Sequence, residues 1–312
     1  MRRPGSFSYI FPAATGMGVL LLALGCSDDT PTYPVPTPSY NTINSFPAWS
    51  PDGSRILYES RGISGVSDGA YVFDPDSAGL WIINADGTDP RLLLQAWGVY
   101  ADWSPGGEWI AFEADKQIHK GRFVGSELDT TSLVQLTSEG RNYFPTWSPD
   151  GEWISYDSDS SDPQAPYQIW KMRSDGTDRV NVSHSSARMP DWSPDGQWIV
   201  HMRYVDLDGE IFSMDASGDS LVQLTANRRS VRHPKYSPDG TLIAFQSDGG
   251  IWVMGADGDA PRKIANGYEP SWSPNGEKIA FSRPSDDPKL NGTIWIMNAD
   301  GTNLRQLTPG LP

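Results

Sequence analysis

The stretch WSPDG, at residues 147–151, decides the fold because it recurs along the chain. Identical copies begin at Trp49 and Trp192, and close variants begin at Trp103 (WSPGG), Tyr236 (YSPDG) and Trp272 (WSPNG). Successive copies begin 54, 44, 45, 44 and 36 residues apart. A four-stranded propeller blade takes about 40 to 45 residues. Six copies therefore predict six blades.

Each repeat unit predicts a four-stranded antiparallel meander. Ser-Pro-Asp-Gly is a turn, because Pro fixes φ at the first central position and Gly suits the exit. A β-branched and aromatic run such as Ile154-Ser155-Tyr156 follows and predicts a second strand that faces a neighbouring blade. A third strand with its own turn, as in Ile169–Gly176 (IWKMRSDG), and a short element such as Leu133–Thr137 (LVQLT) complete most units.

One unit cannot bury such faces alone, whereas six units arranged radially can. We therefore predict an all-β, six-bladed β-propeller of four-stranded antiparallel blades over residues 41–312. In the second unit, Gly121–Ser132 contains no Asp-Gly turn, so its third strand is the least well defined by the pattern. The last unit is complete by Thr308, so we expect no strand to be missing from it.

These motifs resemble the WD-type, TolB-like propeller repeats of periplasmic proteins. The resemblance spans about Phe46 to Thr308, and six copies of one compact motif make it specific for the fold. TolB itself has an α/β domain ahead of its propeller, whereas only a short segment precedes Trp49 here. The resemblance therefore implies a propeller without the complete role of TolB.

The N-terminus predicts export. Arg2 and Arg3 precede the apolar run Met17–Gly25 (MGVLLLALG), which is too short to span a bilayer. Residues 1–25 resemble a lipoprotein signal peptide, which implies lipidation of Cys26; the alternative is an ordinary cleaved signal with an incidental cysteine. Residues 26–40 carry four prolines and predict an extended tether, at about 3 Å per residue.

Charge and composition exclude some partners. The formal net charge of −15 opposes general affinity for nucleic acid and for anionic membrane surfaces. We therefore expect membrane contact only through the lipid anchor, and a protein or small ligand as partner. Cys26 is the only cysteine, so no intramolecular disulfide can form.

Catalytic and metal-binding motifs are scarce, so we predict no catalytic residue, no metal site and no cofactor. The four histidines, His119, His184, His201 and His233, fall at non-equivalent places in their units. Gly218–Leu221 spells the Gly-Asp-Ser-Leu of an esterase family but stands where other units have a turn. The acidic run Asp157–Asp162 lacks the glycine and final glutamate of a calcium loop, so a solvated loop is favoured.

The two ends of the predicted propeller differ. The Ser-Pro-Asp-Gly end is short and uniform, whereas the opposite end carries long insertions at Arg61–Gly79, Ser158–Tyr167 and Arg283–Gly292. Variable loops on a rigid scaffold commonly bind partners. At that end, a basic and aromatic group precedes the first strands and is predicted to form a rim that receives an acidic group. The candidate residues are Arg141, Tyr143, Arg188, Arg232, His233 and Tyr268, with Arg228 and Arg229 nearby.

The prediction for function is a monomeric binding scaffold, not an enzyme, held in the periplasm or at the cell surface by its lipid. By resemblance to TolB, the partner is an envelope protein or a peptidoglycan-associated one. Two alternatives stay open. One is a small-ligand sensor or adaptor, and the other is a polysaccharide lyase, because certain pectin-degrading lyases are built on similar propellers.

Overall fold

The computed structural model describes residues 42–67, 70–160, 162, 164–226, 230–283 and 292–308. These residues form six four-stranded antiparallel sheets. The described residues contain no helix, and therefore none that is long and apolar enough to cross a membrane. The predicted signal peptide, Cys26 and the tether lie outside the described residues.

The first three blades follow one another along the chain. Blade 1 consists of β1 Thr42–Trp49, β2 Arg55–Ser67, β3 Ala70–Asn84 and β4 Arg91–Gln95. Blade 2 consists of β5 Ala101–Trp103, β6 Trp109–Ala114, β7 Gln117–Val124 and β8 Glu127–Gln135. Blade 3 consists of β9 Asn142–Trp147, β10 Trp153–Ser158, β11 Gln168–Arg173 and β12 Val180–Asn181.

The remaining three blades repeat the same strand order. Blade 4 consists of β13 Arg188–Trp192, β14 Trp198–Val205, β15 Asp208–Asp215 and β16 Leu221–Gln223. Blade 5 consists of β17 Arg232–Tyr236, β18 Leu242–Ser247, β19 Gly250–Gly255 and β20 Arg262–Asn266. Blade 6 consists of β21 Tyr268–Trp272, β22 Lys278–Arg283, β23 Thr293–Asn298 and β24 Arg305–Gln306. The predicted fold class is confirmed.

The Ser-Pro-Asp-Gly turns form as the sequence predicts. In blade 3, the Ser148 hydroxyl donates to Asp150 Oδ1 at 2.5 Å and accepts the backbone N–H of Trp153 at 2.9 Å. Gly151 has a φ of 72°, a conformation that glycine adopts without steric cost. The turn thus ties the end of one strand to the start of the next.

The core lies between the blades. One cluster joins Ile56 and Tyr58 of blade 1 to Ala280 and Ile294 of blade 6, and each of the other five neighbouring pairs has a similar cluster. The second strands therefore face neighbouring blades, as predicted. Burial of this apolar surface stabilises the ring by about 25 cal/mol per Å².

The ring closes by contact and not by exchange of a strand. All four strands of blade 1 and all four of blade 6 are consecutive in the chain. Asn44 donates its backbone N–H to the Gly292 carbonyl at 2.8 Å and its side-chain amide to Thr308 Oγ1 at 3.3 Å. The expectation that the last unit is complete is confirmed.

Two local expectations need refinement. Arg61–Gly79, an insertion in the sequence pattern, largely extends the hairpin of β2 and β3 beyond the blade. In blade 2, the third strand does form, and β7 and β8 turn at Gly125, whose φ is 65°. A glycine at an exposed turn thus replaces the Asp-Gly pair of the other units.

Candidate functional site

The first strands of the blades line the central channel. We call the end with the Ser-Pro-Asp-Gly turns the turn face and the opposite end the variable face. On the turn side, a cavity of about 320 Å³ reaches from the middle of the channel to the turns of blades 3 to 5. Asp191 lines this cavity and holds Lys235 Nζ at 2.9 Å.

A ring of side chains closes the channel toward the variable face. We call it the axial ring, and it consists of Phe46, Tyr100, Phe144, Met189, His233 and Glu269. Side chains from alternate blades meet at the axis, because the ring centroids of Phe46, Phe144 and His233 lie 5.5–6.0 Å from one another. The channel is therefore plugged at this level.

Backbone geometry directs most of these side chains. Every member except Tyr100 has a positive φ, between 51° and 58°, and precedes a proline. In these five blades, the pairing of the first and second strands shifts register at this position. Such a bulge re-aims a side chain, and a non-glycine residue in this conformation is strained. In five of the six blades, local strain thus turns one side chain toward the channel.

His233 belongs to the axial ring, and not to the rim where the sequence placed it. Its imidazole packs against the rings of Phe46 and Phe144. Burial, together with the positive charges of Lys235, Arg232 and Arg188, lowers the pKa of His233 to about 3. The imidazole is therefore neutral at physiological pH and adds no positive charge there.

On the variable face, three of the predicted rim residues meet around one tyrosine. We call Arg141, Tyr143, Tyr167 and Arg188 the arginine–tyrosine cluster. The guanidinium carbons of Arg188 and Arg141 lie 4.3 Å and 5.4 Å from the centroid of the Tyr167 ring. The Tyr143 and Tyr167 centroids are 5.8 Å apart. Tyr167 could not be recognised from the sequence, because it ends an insertion and occupies no repeated position.

Two buried carboxylates hold the arginines of this cluster. Arg188 Nε lies 2.7 Å from Asp157 Oδ2, and Arg141 Nε lies 2.5 Å from Asp159 Oδ2. The side chain of Asp157 is fully buried, and that of Arg188 is 26% exposed. Burial raises the pKa of Asp157 to about 6, against the attraction of Arg188. The run Asp157–Asp162 therefore contributes arginine anchors.

The other predicted rim residues lie apart from this cluster. Arg232 is exposed at the start of β17, and Tyr268 begins β21, with its hydroxyl near Gly249 of blade 5. Arg228 and Arg229 lie outside the described residues.

A second group of carboxylates lies on the side of the channel formed by blades 6, 1 and 2. Glu59 is buried and forms a two-point ion pair with Arg61, at 2.8 Å and 3.1 Å. Burial raises the pKa of Glu113 to about 8 and that of Glu269 to about 7. Glu269 Oε2 also accepts the backbone N–H of Phe46 at 3.0 Å, across the seam between blades 6 and 1.

The four histidines are dispersed over the propeller. His119 stacks on Phe112, the fully buried His201 stacks on Phe212, and His184 is exposed in a loop. In the part of the chain that the structure describes, no three His, Asp or Glu side chains are placed to hold a metal ion.

Comparison with known proteins supports the repeat assignment. Residues 179–311 match the family model described as TolB beta propeller domain. A structure described as TolB from Agrobacterium tumefaciens is 24% identical, with a TM-score of 0.62 over 70% of this chain and 84% of that one. TolB from Acinetobacter baumannii is 18% identical, with a TM-score of 0.61 over 86% of this chain and 63% of that one. The propeller is thus TolB-like, as the repeats indicate.

An enzyme shares the architecture. An oligogalacturonate lyase in complex with manganese is 14% identical, with a TM-score of 0.52 over 82% of this chain and 89% of that one. At such identities, the likeness is one of fold, because propellers of one architecture host unrelated functions. The chain spans 63% of the length of the A. baumannii TolB.

Proposed function

We propose that this propeller is a non-enzymatic scaffold of the bacterial envelope, which binds an acidic segment of a partner protein at the rim of its variable face. The observation behind the proposal is the arginine–tyrosine cluster. Arginine and tyrosine are among the residue types enriched at the energetic centres of protein interfaces. Here the buried Asp157 and Asp159 fix the two arginines before any partner arrives.

Fixed side chains favour binding because less conformational entropy is lost on association. Tyr167 and Arg188 are both partly exposed, so their faces are accessible from the variable side. Phe144, whose ring centroid lies 5.8 Å from the Arg188 guanidinium carbon, packs with the neutral His233 and gives an aromatic floor beside them. A partner segment with an aromatic or aliphatic residue next to a carboxylate matches this surface.

The envelope location in this proposal comes from the sequence. Residues 1–25, Cys26 and the proline-rich residues 26–40 resemble the signal peptide, lipidated cysteine and tether of an exported lipoprotein. Metabolic labelling with a fatty acid tests the anchor. We expect label in the wild type and none in Cys26→Ser, and label in neither would contradict lipidation.

The rim is tested by crosslinking in the intact envelope, followed by mass spectrometry. We expect a discrete partner with the wild type and its loss in the Arg188→Ala, Arg232→Ala double variant. Arg173→Ala is the matched control, because Arg173 is partly exposed on the turn face. A partner retained by the double variant would move the interface away from the rim.

A wild type that crosslinks to no specific protein would count against the scaffold. The small-ligand sensor and the polysaccharide lyase would then be tested directly. The sensor predicts binding of a small acidic ligand by the purified chain, and the lyase predicts turnover of an acidic polysaccharide.

A further inference from the structure

The crevices between neighbouring blades on the turn face differ in one repeated position. Lys120 of blade 2, Lys171 of blade 3 and Ser213 of blade 4 occupy equivalent places on the third strand. Each pairs across the sheet with the residue two positions after an equivalent tryptophan, namely Trp109, Trp153 or Trp198. Blades 2 and 3 thus place a lysine where blade 4 has a serine.

The two lysines fill their crevices in the same way. Lys120 Nζ lies 4.6 Å from the centroid of a Trp109 ring and donates to the Ser174 carbonyl of blade 3 at 2.7 Å. Lys171 Nζ lies 4.9 Å from Trp153 and donates to the Ala216 carbonyl of blade 4 at 2.6 Å. Each ammonium therefore has an aromatic face beneath it and a carbonyl of the next blade ahead of it.

Between blades 4 and 5, the aromatic face and the carbonyl remain without the lysine, and the cross-strand partner of Trp198 is Asp215 in place of the arginine found in blades 2 and 3. Trp198 supplies the aromatic face, and Ala256 is the equivalent of Ser174 and Ala216 by its backbone hydrogen bond to the turn of its own blade. The Ser213 hydroxyl is too short to cross the crevice, and lies 3.1 Å from the Tyr236 hydroxyl. In the described residues, no cationic side chain is found over Trp198.

The cavity volumes agree with the presence of a serine in place of the lysine. The cavity beside Lys120 measures about 250 Å³, whereas the corresponding cavity beside Ser213 measures about 660 Å³. Val222 and Leu224 add an apolar wall to the larger cavity. An alkyl chain can pack against such a wall while its polar end reaches the carbonyl.

The larger cavity is also electrostatically suited to a cation. Asp195, Asp239 and Asp257 line it. Hydrogen bonds from Ser193 and Ser237 lower the pKa of Asp195 and Asp239, respectively, so both are ionised at neutral pH. Asp257 of blade 5 occupies the position equivalent to Asp175 of blade 3. The Asp175 carboxylate attracts Lys120.

We propose that this cavity, between blades 4 and 5 on the turn face, binds the lysine side chain of a partner protein. The ammonium would lie over Trp198 and donate to the Ala256 carbonyl, as Lys120 and Lys171 do in their own crevices. A basic segment is the occupant that the net charge of −15 favours. This site lies at the opposite end from the rim and does not depend on the function proposed there.

The test uses the purified ¹⁵N-labelled full chain and N-acetyl-lysine N-methylamide, which presents one lysine side chain with blocked ends. We expect saturable, millimolar binding that shifts the Trp198 indole signal, which Trp198→Phe identifies. The same probe acetylated on Nζ should bind at least about tenfold more weakly, because the cation–π and charge attraction is lost. Equal binding of the two probes would overturn the proposal.

Two exchanges locate the site. Ser213→Lys should fill the cavity from within and abolish the Trp198 shift, and a shift that persists in the folded variant would overturn the proposal. Lys120→Ser should create a second site, seen as a new shift of Trp109, because Arg122 lies 5.9 Å from a Trp109 ring, whereas Arg173 lies 4.2 Å from Trp153 and would compete there. Failure of a folded Lys120→Ser to gain this shift would also contradict the mechanism, even if Ser213→Lys did not fold.

Discussion

The two faces of the propeller use carboxylates in opposite ways. On the turn face, Asp195 and Asp239 accept hydrogen bonds from their own turns, which lower their pKa. On the variable face, burial raises the pKa of Asp157, Glu113 and Glu269. The difference shows that repetition maintains the turn face through local contacts, whereas the variable face depends on contacts that occur once.

A glycine-to-alanine substitution on each face tests this contrast most strongly. At Gly267, on the variable side, a Cβ would lie 2.4 Å from Phe281 Cδ2, and Phe281 is fully buried. We expect Gly267→Ala to lower the free energy of unfolding by about 3 kcal/mol, measured by urea unfolding with tryptophan fluorescence. Gly151→Ala, with φ 72° and only Pro105 nearby, should cost about 1 kcal/mol. Equal losses would contradict the contrast.

Removal of one arginine from each face gives the next largest difference. Arg188→Met leaves the buried Asp157 without its ionic partner, and we expect a loss of about 2 kcal/mol in the free energy of unfolding. Arg173→Met on the turn face removes a partner from the exposed Glu152 and should cost less than about 1 kcal/mol. If both variants lose the same amount, Asp157 is better solvated than its burial indicates.

The carboxylates of the two faces should change the free energy of unfolding in opposite directions as pH rises. Between about pH 4.5 and 8, Glu113 holds a proton in the folded chain but not in the unfolded chain. The free energy of unfolding should therefore fall as pH rises through this window, by on the order of 1 kcal/mol per pH unit. Glu113→Gln should flatten this slope in urea unfolding at a series of pH values.

For the turn-face carboxylates, we expect the free energy of unfolding to rise with pH. Because their folded pKa is lowered, their stabilisation is present above the ordinary value of 3.8 and is lost as pH falls below it. Asp239→Asn should weaken this acid sensitivity and leave the slope between pH 4.5 and 8 unchanged. A change in the higher window instead would contradict the assignment of that slope to the variable face.

The smallest effect is expected for Glu152→Gln. The Arg173–Glu152 pair is 2.6 Å long but exposed on both sides, so we expect a change of less than about 0.5 kcal/mol. Added salt should remove even this difference. A larger loss that persists in salt would show that turn-face ion pairs do contribute to stability.

The sequence predicted the features that repeat. Trp147–Gly151 and its copies placed the turns, the strand order and the number of blades, because local turn chemistry and strand periodicity determine them. It could not predict that Phe46, Phe144 and His233 meet at the axis, since that follows from a bulge and from ring closure. The three side chains do stand at one repeated position, three residues before Trp49, Trp147 and Tyr236, but this spacing does not show that they point to the axis.

The arginine–tyrosine cluster was predicted in part for the same reason. Arg141, Tyr143 and Arg188 do come together, but the residue between the two arginines, Tyr167, lies in an insertion. Asp157 had the appearance of a loop carboxylate, and only its full burial shows it as an anchor. Ser213 could not be recognised from the sequence either, because its significance depends on Lys120 and Lys171 at the equivalent positions of blades 2 and 3.

Because the ring closes by contact, rearrangements of the gene can add or remove whole blades. Each blade is a contiguous stretch of sequence, so duplication or loss of one stretch of DNA adds or removes a whole blade. The Asn44 and Thr308 side chains, 264 residues apart, meet only when the ring is complete. Circular permutation at any other blade boundary would preserve all six sheets.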